Sequence, residues 1–208
     1  MSARLIVIAK APVPGRSKTR LCPPCTAEQA AGLAEAALID TLAAVTETPC
    51  TERVLVLDGE PGGWVPPGFQ VVPQCAGDLG ERLAGAFSHH DGPTLLIGMD
   101  TPQVTAALLE RSIEELRFGD AVLGAAPDGG YWAIGFCRPQ PRAFVGVAMS
   151  SPFTAELQRR RLQALGLGVR ELPQLRDVDY FKDAQLVAEE HPAGEFARAV
   201  RSLEPALV

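Results

Sequence analysis

The sequence predicts a single α/β domain, with a mixed, mainly parallel sheet flanked by helices. Three observations predict it. Apolar strand-like runs alternate with helical segments and short loops, the pattern of βαβ units. One run, Thr94-Leu95-Leu96-Ile97-Gly98-Met99, is almost continuously apolar, as burial on both faces of a sheet requires. The 208 residues contain no internal repeat, no low-complexity segment and no convincing linker, which fits one core.

Element by element, Arg4-Leu5-Ile6-Val7-Ile8-Ala9 reads as a buried strand running directly into a Pro/Gly loop. Thr26-Ala27-Glu28-Gln29 is a capping box that starts a helix to about Val45. Arg53–Asp58 is the second strand and Phe69–Val72 a short third. Asp78-Leu79-Gly80-Glu81-Arg82 opens a helix expected to end near His90. Thr94–Met99 follows as a strand, then Thr105–Leu116 as a helix and Ala121–Ala125 as a strand. Gly130–Phe136 is a further strand that can pair in the opposite sense. Ser151-Pro152, with Pro at the first helical position, predicts a helix to about Leu165. Val169–Leu172 is the last clear strand, followed by Asp177-Val178-Asp179 and one or two terminal helices.

Composition excludes several classes. A formal net charge of -6 argues against non-specific nucleic-acid binding, which needs a broad basic surface. No apolar run reaches the length of a membrane span, and the first residues lack a signal-peptide pattern, so a cytoplasmic location is expected. The five cysteines are then expected to be reduced. Cys22-Pro23-Pro24-Cys25 has the spacing of a redox motif or half a zinc site. No later CxxC or HxxxH completes a zinc site, and incidental loop cysteines are the favoured reading.

The loop after the first strand, Lys10-Ala11-Pro12-Val13-Pro14-Gly15-Arg16-Ser17-Lys18-Thr19-Arg20-Leu21, carries four cationic side chains in an acidic protein. At the carboxyl end of a sheet strand it can hold an anion, with Gly15 letting backbone approach and Lys18 and Arg20 meeting phosphate. The alternative is a solvated basic run. It is not a Walker A loop, because Ser17 and Val13 stand where that motif needs glycines.

Asp100 follows the apolar strand directly and is either a ligand for a hard divalent cation or a cap for the next helix, a role open equally to Thr101 or Thr105. Asp177 and Asp179, two apart in an extended segment, point to one side with Val178 toward the core. They can join Asp100 on one or two ions, or Asp179 can cap the helix from Phe181. Asp128-Gly129-Gly130-Tyr131 is a tight hairpin, or a turn presenting Asp128 to a hydroxyl or amine. Gln74 has both the donor and the acceptor needed to read a nucleobase edge. His89, His90 and His191 form no nucleophile-base constellation with Ser150 or Ser151, so covalent catalysis is not expected.

These motifs, in order, resemble those of the bacterial glycosyltransferase-A-like family of nucleotide-diphospho-sugar transferases, some named arsenosugar-biosynthesis glycosyltransferases. The carriers are Lys10-x-Pro12-x-Pro14-Gly15-x-x-Lys18-Thr19-Arg20-Leu21, Gly77-Asp78-Leu79-Gly80-x-Arg82, Gly98-x-Asp100-Thr101-Pro102, Asp128-Gly129-Gly130-Tyr131 and Asp177-Val178-Asp179. Lys18-x-Arg20-Leu21 and Asp177-Val178-Asp179 more distantly resemble phospholactate guanylyltransferase, and the first loop is similar to that of molybdenum-cofactor guanylyltransferase.

The resemblance implies a Rossmann-like glycosyltransferase-A fold over residues 1–208, with a nucleotide-binding half to about residue 100 and an acceptor half beyond it. It implies Ala9, Lys10 and Ala11 near base and ribose; from the residues themselves, Gly15, Gln74 and Gly80 are also expected at the nucleotide. It places Lys18 and Arg20 on phosphates, and Asp100, Asp177 and Asp179 on Mg²⁺ or Mn²⁺. Met149-Ser150-Ser151 departs from the aromatic residue and small polar pair of the family, and Cys22 and Cys25 replace residues that are usually not cysteine.

The expectation is a metal-dependent transferase acting on a nucleotide, with Lys18, Arg20, Asp100 and Asp128 carrying the chemistry. Its substrates are a nucleoside triphosphate or an NDP-sugar and a small-molecule acceptor, without nucleic acid or membrane. Nucleotidyl transfer is favoured over glycosyl transfer because a cationic loop suits the extra charge of a triphosphate. A silent nucleotide-binding protein on the same fold is the third reading.

Overall fold

Period-two alternation in the first strand decides how the sheet is covered. The structure, a computed structural model, describes residues 3–88, 91–140 and 142–203. In β1 (Arg4–Lys10), Leu5, Val7 and Ala9 enter one core cluster while Ile6 enters the cluster on the opposite face. The remaining strands are β2 (Glu52–Asp58), β3 (Phe69–Pro73), β4 (Thr94–Gly98), β5 (Ala121–Ala125), β6 (Tyr131–Phe136) and β7 (Val169–Glu171). They form one seven-stranded sheet in the order β3-β2-β1-β4-β6-β5-β7. Helices α1 (Ala27–Glu47) and α3 (Ala106–Glu115) supply the first cluster. Helices α2 (Leu79–Ala86) and α4 (Thr154–Ala164) supply the second. Beneath α1, a third cluster joins Leu21 to α5 (Phe181–Glu190) and α6 (Glu195–Leu203).

This topology brings the site residues to one edge. β1 pairs in parallel with β2 on one side and β4 on the other, so the chain reverses its winding between β1 and β4. The carboxyl ends of those two strands therefore flank a crevice. β6 is antiparallel to both β4 and β5, which directs β5 the same way as β4 and puts the 126–130 turn on the crevice edge. After β7 the chain crosses that edge in steps. Leu172 N–H donates to Leu123 O, Leu175 N–H to Ala125 O and Val178 N–H to Asp100 O. By this route residues 177–179 reach the end of β4.

The expected α/β fold with one antiparallel element is found, and three local expectations are corrected. α4 begins at Thr154 with Phe153 as its cap. Ser151 and Thr154 bond each other in the turn ahead of it, so Pro152 precedes the helix instead of starting it. The cap of α5 is Tyr180, whose backbone N–H donates to Asp183 from inside the first turn, so Asp179 is not the cap. α2 ends at Ala86 with Phe87 as its cap, and the expected end near His90 lies outside the described residues, as does His89. The capping boxes at Thr26 and Asp78 are both closed, and Thr105 caps α3. Among the described residues no helix is long and apolar enough to cross a membrane.

Gly129 holds the turn of the β5–β6 hairpin with φ 90°, where a Cβ would collide with the Pro152 carbonyl. Its own carbonyl accepts from Ala155 N–H at 2.8 Å, so the turn is tied to the start of α4. Gly129→Ala meets both left-handed strain and a backbone clash. We expect a loss of about 3 kcal/mol, read as a fall of roughly 6–12 °C in thermal unfolding for a chain of this size.

Candidate active site

The floor of the crevice is the segment 177–179, held at Val178 through its backbone and its buried side chain. Val178 is fully buried; its N–H donates to Asp100 O and its carbonyl accepts from Lys18 Nζ. With Val178 turned inward, Asp177 and Asp179 face the cavity together. Carboxylate oxygens of Asp128, Asp177 and Asp179 lie within 4.8 Å of one another. The third member arrives from the β5–β6 turn, where Asp128 Oδ1 accepts from Gly130 N–H at 2.7 Å.

The electrostatics of this group are unbalanced. The Asp177 carboxyl is pushed up to about 6, first by burial and then by the negative charge of Asp128, with Asp179 and Asp100 adding to it. An all-oxygen donor set short of positive charge fits a hard divalent cation. Thr101 supports that fit: its Oγ1 is buried on the same cavity and has no hydrogen-bond partner.

Above the floor is a cavity of about 530 Å³, in the range of small-molecule sites. Ala9, Lys10, Arg20, Gln74, Asp100, Asp128, Asp177 and Asp179 line it. A smaller recess of about 250 Å³ adjoins it, lined by Lys10, Arg16, Ser17, Lys18, Thr19, Arg20, Met99, Asp100 and Asp179. The expected cationic loop therefore does face the expected carboxylates.

Several residues stand differently from expectation. Lys18 and Arg20 are engaged with acids: Lys18 Nζ lies 2.5 Å from Asp100 Oδ1, and Arg20 Nη1 lies 2.5 Å from Asp179 Oδ2. Asp100 thus meets an ammonium, and Asp128 completes the carboxylate triad. Gln74 is also committed. Its amide N–H groups donate to Ala9 O and Val56 O, and its Oε1 accepts from Arg82, so it braces the cavity wall that it lines. Ala11, Gly15 and Gly80 line neither cavity. Ala11 is buried against Gly59, Gly15 shapes the loop at φ 73°, and Gly80 is packed in the first turn of α2.

Trp132 and Thr154, which no motif marked, complete the far wall with Met149 and the buried face of Tyr131, which the motifs contained without a role. Tyr131 Oη approaches Gln158 Oε1 at 3.4 Å, and burial raises its pKa, so it remains a hydrogen-bond donor. The alternating strand pattern places Tyr131 beside the marked Gly-Gly turn, but only the fold brings the 149–154 segment opposite it. The five cysteines are free, and burial raises the Cys25 thiol, which disfavours a reactive thiolate there.

Comparison with known proteins follows this geometry. The profile of a family described as an uncharacterized protein conserved in bacteria, DUF2064, matches residues 41–151. No curated protein sequence matches the chain. Among solved structures, a provisionally designated nucleotide-diphospho-sugar transferase from Desulfovibrio desulfuricans G20 superposes with TM-score 0.88 at 24% identity, covering 100% of this chain and 97% of that one. The manganese complex of Rv0371C from Mycobacterium tuberculosis H37Rv gives 0.52 at 19% identity, over 91% and 100%. The 2-C-methyl-D-erythritol 4-phosphate cytidylyltransferase of Thermus thermophilus gives 0.51 at 17%, over 83% and 89%. At these identities the likeness is one of fold.

The crowded carboxylates make a pH prediction. Asp177 ordinarily titrates near 3.8, so between that value and about 6 the folded chain holds a proton that the unfolded chain has lost. Stability therefore falls as pH rises through this window, and the penalty is complete above it. Asp177→Asn is expected to raise metal-free stability at pH 7.5 by about 1 kcal/mol after solvent screening, or roughly 2–4 °C. At pH 4 the gain should vanish. Thermal unfolding at both pH values checks it.

Proposed function

The chain belongs to the DUF2064 family of bacterial proteins, and from that premise we propose that it is a metal-dependent transferase acting on a nucleotide substrate. One observation carries the reading: a carboxylate triad faces a cation-lined recess across the winding reversal between β1 and β4. Asp128, Asp177 and Asp179 would hold Mg²⁺ or Mn²⁺, and the manganese bound by the Rv0371C structure supports that choice. When bound, such an ion would supply Lewis-acid stabilisation of the charge on phosphate oxygens.

The residues of this chain divide the remaining work. The larger cavity takes the nucleoside against Ala9 and Lys10, so the half to about residue 100 binds nucleotide and the rest meets the acceptor. Exposed Arg16, with Lys10 and Arg20, gives the recess its positive lining for phosphates. In nucleotidyl transfer, an acceptor oxygen forms a bond to the α-phosphorus while the α–β bridging bond breaks and pyrophosphate leaves with the electron pair. A cation-lined recess adjoining the main cavity suits that leaving group, which favours nucleotidyl transfer to a small phosphorylated or hydroxyl acceptor. Glycosyl transfer from an NDP-sugar is the second reading, favoured by the designation of the Desulfovibrio structure.

Thermal unfolding with Mn²⁺ against a panel of NTPs and NDP-sugars separates the two. A ligand at a hundredfold its Kd adds about 2.7 kcal/mol, a rise of roughly 5–10 °C. A metal-dependent rise with one NTP, together with pyrophosphate release, is the expected result. A rise with one NDP-sugar, and NDP release, would make it a glycosyltransferase. Asp128→Asn and Asp179→Asn are each expected to lower turnover by about 100-fold or more; full turnover in both would remove the metal assignment.

A further inference from the structure

Lys18 is an unusually constrained lysine. Its side chain is 8% exposed, against 50% for its partner Asp100. Its backbone is left-handed at φ 49°, one of two non-glycine residues so placed among those described. The loop enforces that conformation. Ser17 bonds Val13 O through both its N–H and its hydroxyl, Leu21 N–H returns to Lys18 O, and the Leu21 side chain is fully buried. Local strain is held in place so that one ammonium reaches the acidic floor.

There it takes oxygens as a cation does. Its Nζ contacts Asp100 Oδ1 and the Val178 carbonyl, between the two neighbouring carboxylates Asp177 and Asp179 in sequence. Asp100 lines the same cavity as the triad, yet it is not among the three carboxylates whose oxygens lie within 4.8 Å of one another. The charges agree with this arrangement. Four carboxylates against Lys18 and Arg20 leave two negative charges, which one divalent ion balances.

We propose that the Lys18 ammonium permanently fills the second cation position of this site, so that the protein's own carboxylates bind one divalent ion and not two. This rests on the metal-dependent reading above. Lys18 is then a fixed positive charge built into the floor, and phosphate contacts fall to Lys10, Arg16 and Arg20. Asp100 serves as the counter-ion of Lys18, where a two-metal site would use it as a ligand.

The test is titration of the nucleotide-free protein with Mn²⁺, followed by loss of the free-ion electron paramagnetic resonance signal. The wild-type chain is expected to bind one Mn²⁺. Lys18→Met, which keeps side-chain length without charge, is expected to bind two. Asp100→Asn gives a second reading that does not depend on the folding of the first variant, and it should still bind one. Two ions in the wild type, one in folded Lys18→Met, or none in Asp100→Asn would overturn the inference while leaving a metal site. No binding by the wild type would overturn the metal reading itself, and this inference with it.

Discussion

The backbone of one residue, Val178, holds the site together. Val178 donates its N–H to the carbonyl of Asp100 at the end of β4 and accepts from the ammonium of Lys18 in the loop after β1. Three segments far apart in sequence meet there. A fully buried Val178 side chain supplies the hydrophobic anchor, in the same cluster as Leu21, α1, α5 and α6. A buried lysine is tolerable only if its charge and donors are satisfied. The carbonyl and the Asp100 carboxylate do this, and in doing so they fix the height and facing of Asp177 and Asp179.

This arrangement ties stability to function with opposite signs at neighbouring residues. Lys18 and Arg20 relieve the acidic floor from one side, through contacts to Asp100 and Asp179. Asp177 has no ion pair to a cation among the described residues, and burial and the neighbouring carboxylates raise its pKa. Such a group is unfavourable to the empty fold and favourable once a cation is present, a pattern common at functional sites. The unpartnered buried hydroxyl of Thr101 is a second small cost at the same place.

The opposite wall depends on close approach. Gly129 and the carbonyl of Pro152 leave no room for a side chain, and the hydrogen bond from Ala155 joins the Asp128 turn to α4. Asp128 is exposed, but its carboxylate is oriented by the N–H of Gly130. The triad is thus assembled from a hairpin turn and an extended crossing segment, each anchored by backbone hydrogen bonds, with Asp179 paired to Arg20 and Asp128 accepting from Gly130 N–H.

Local chemistry decided what could be read along the chain. The apolar runs of β1 and β4, the capping box at Thr26 and the helix start at Asp78 depend on neighbours a few residues away, and the elements formed as their patterns required. The same holds for the candidate carboxylates, which lie at strand ends and turns where side chains reach the crevice. Partners were a different matter. Nothing within reach of Lys18 or Arg20 in sequence marks them as counter-ions of Asp100 and Asp179, which lie 82 and 159 residues away. Gln74 is polar in any reading, yet its amide is spent on Ala9, Val56 and Arg82. The sequence by itself determined an α/β sheet, its winding elements and the residue types gathered at its carboxyl edge, because periodicity and capping are short-range. Only the tertiary structure decided which charges neutralise one another and that Asp128, not Asp100, closes the triad, because ion pairing depends on distances that the antiparallel β6 and the crossing segment 172–178 set.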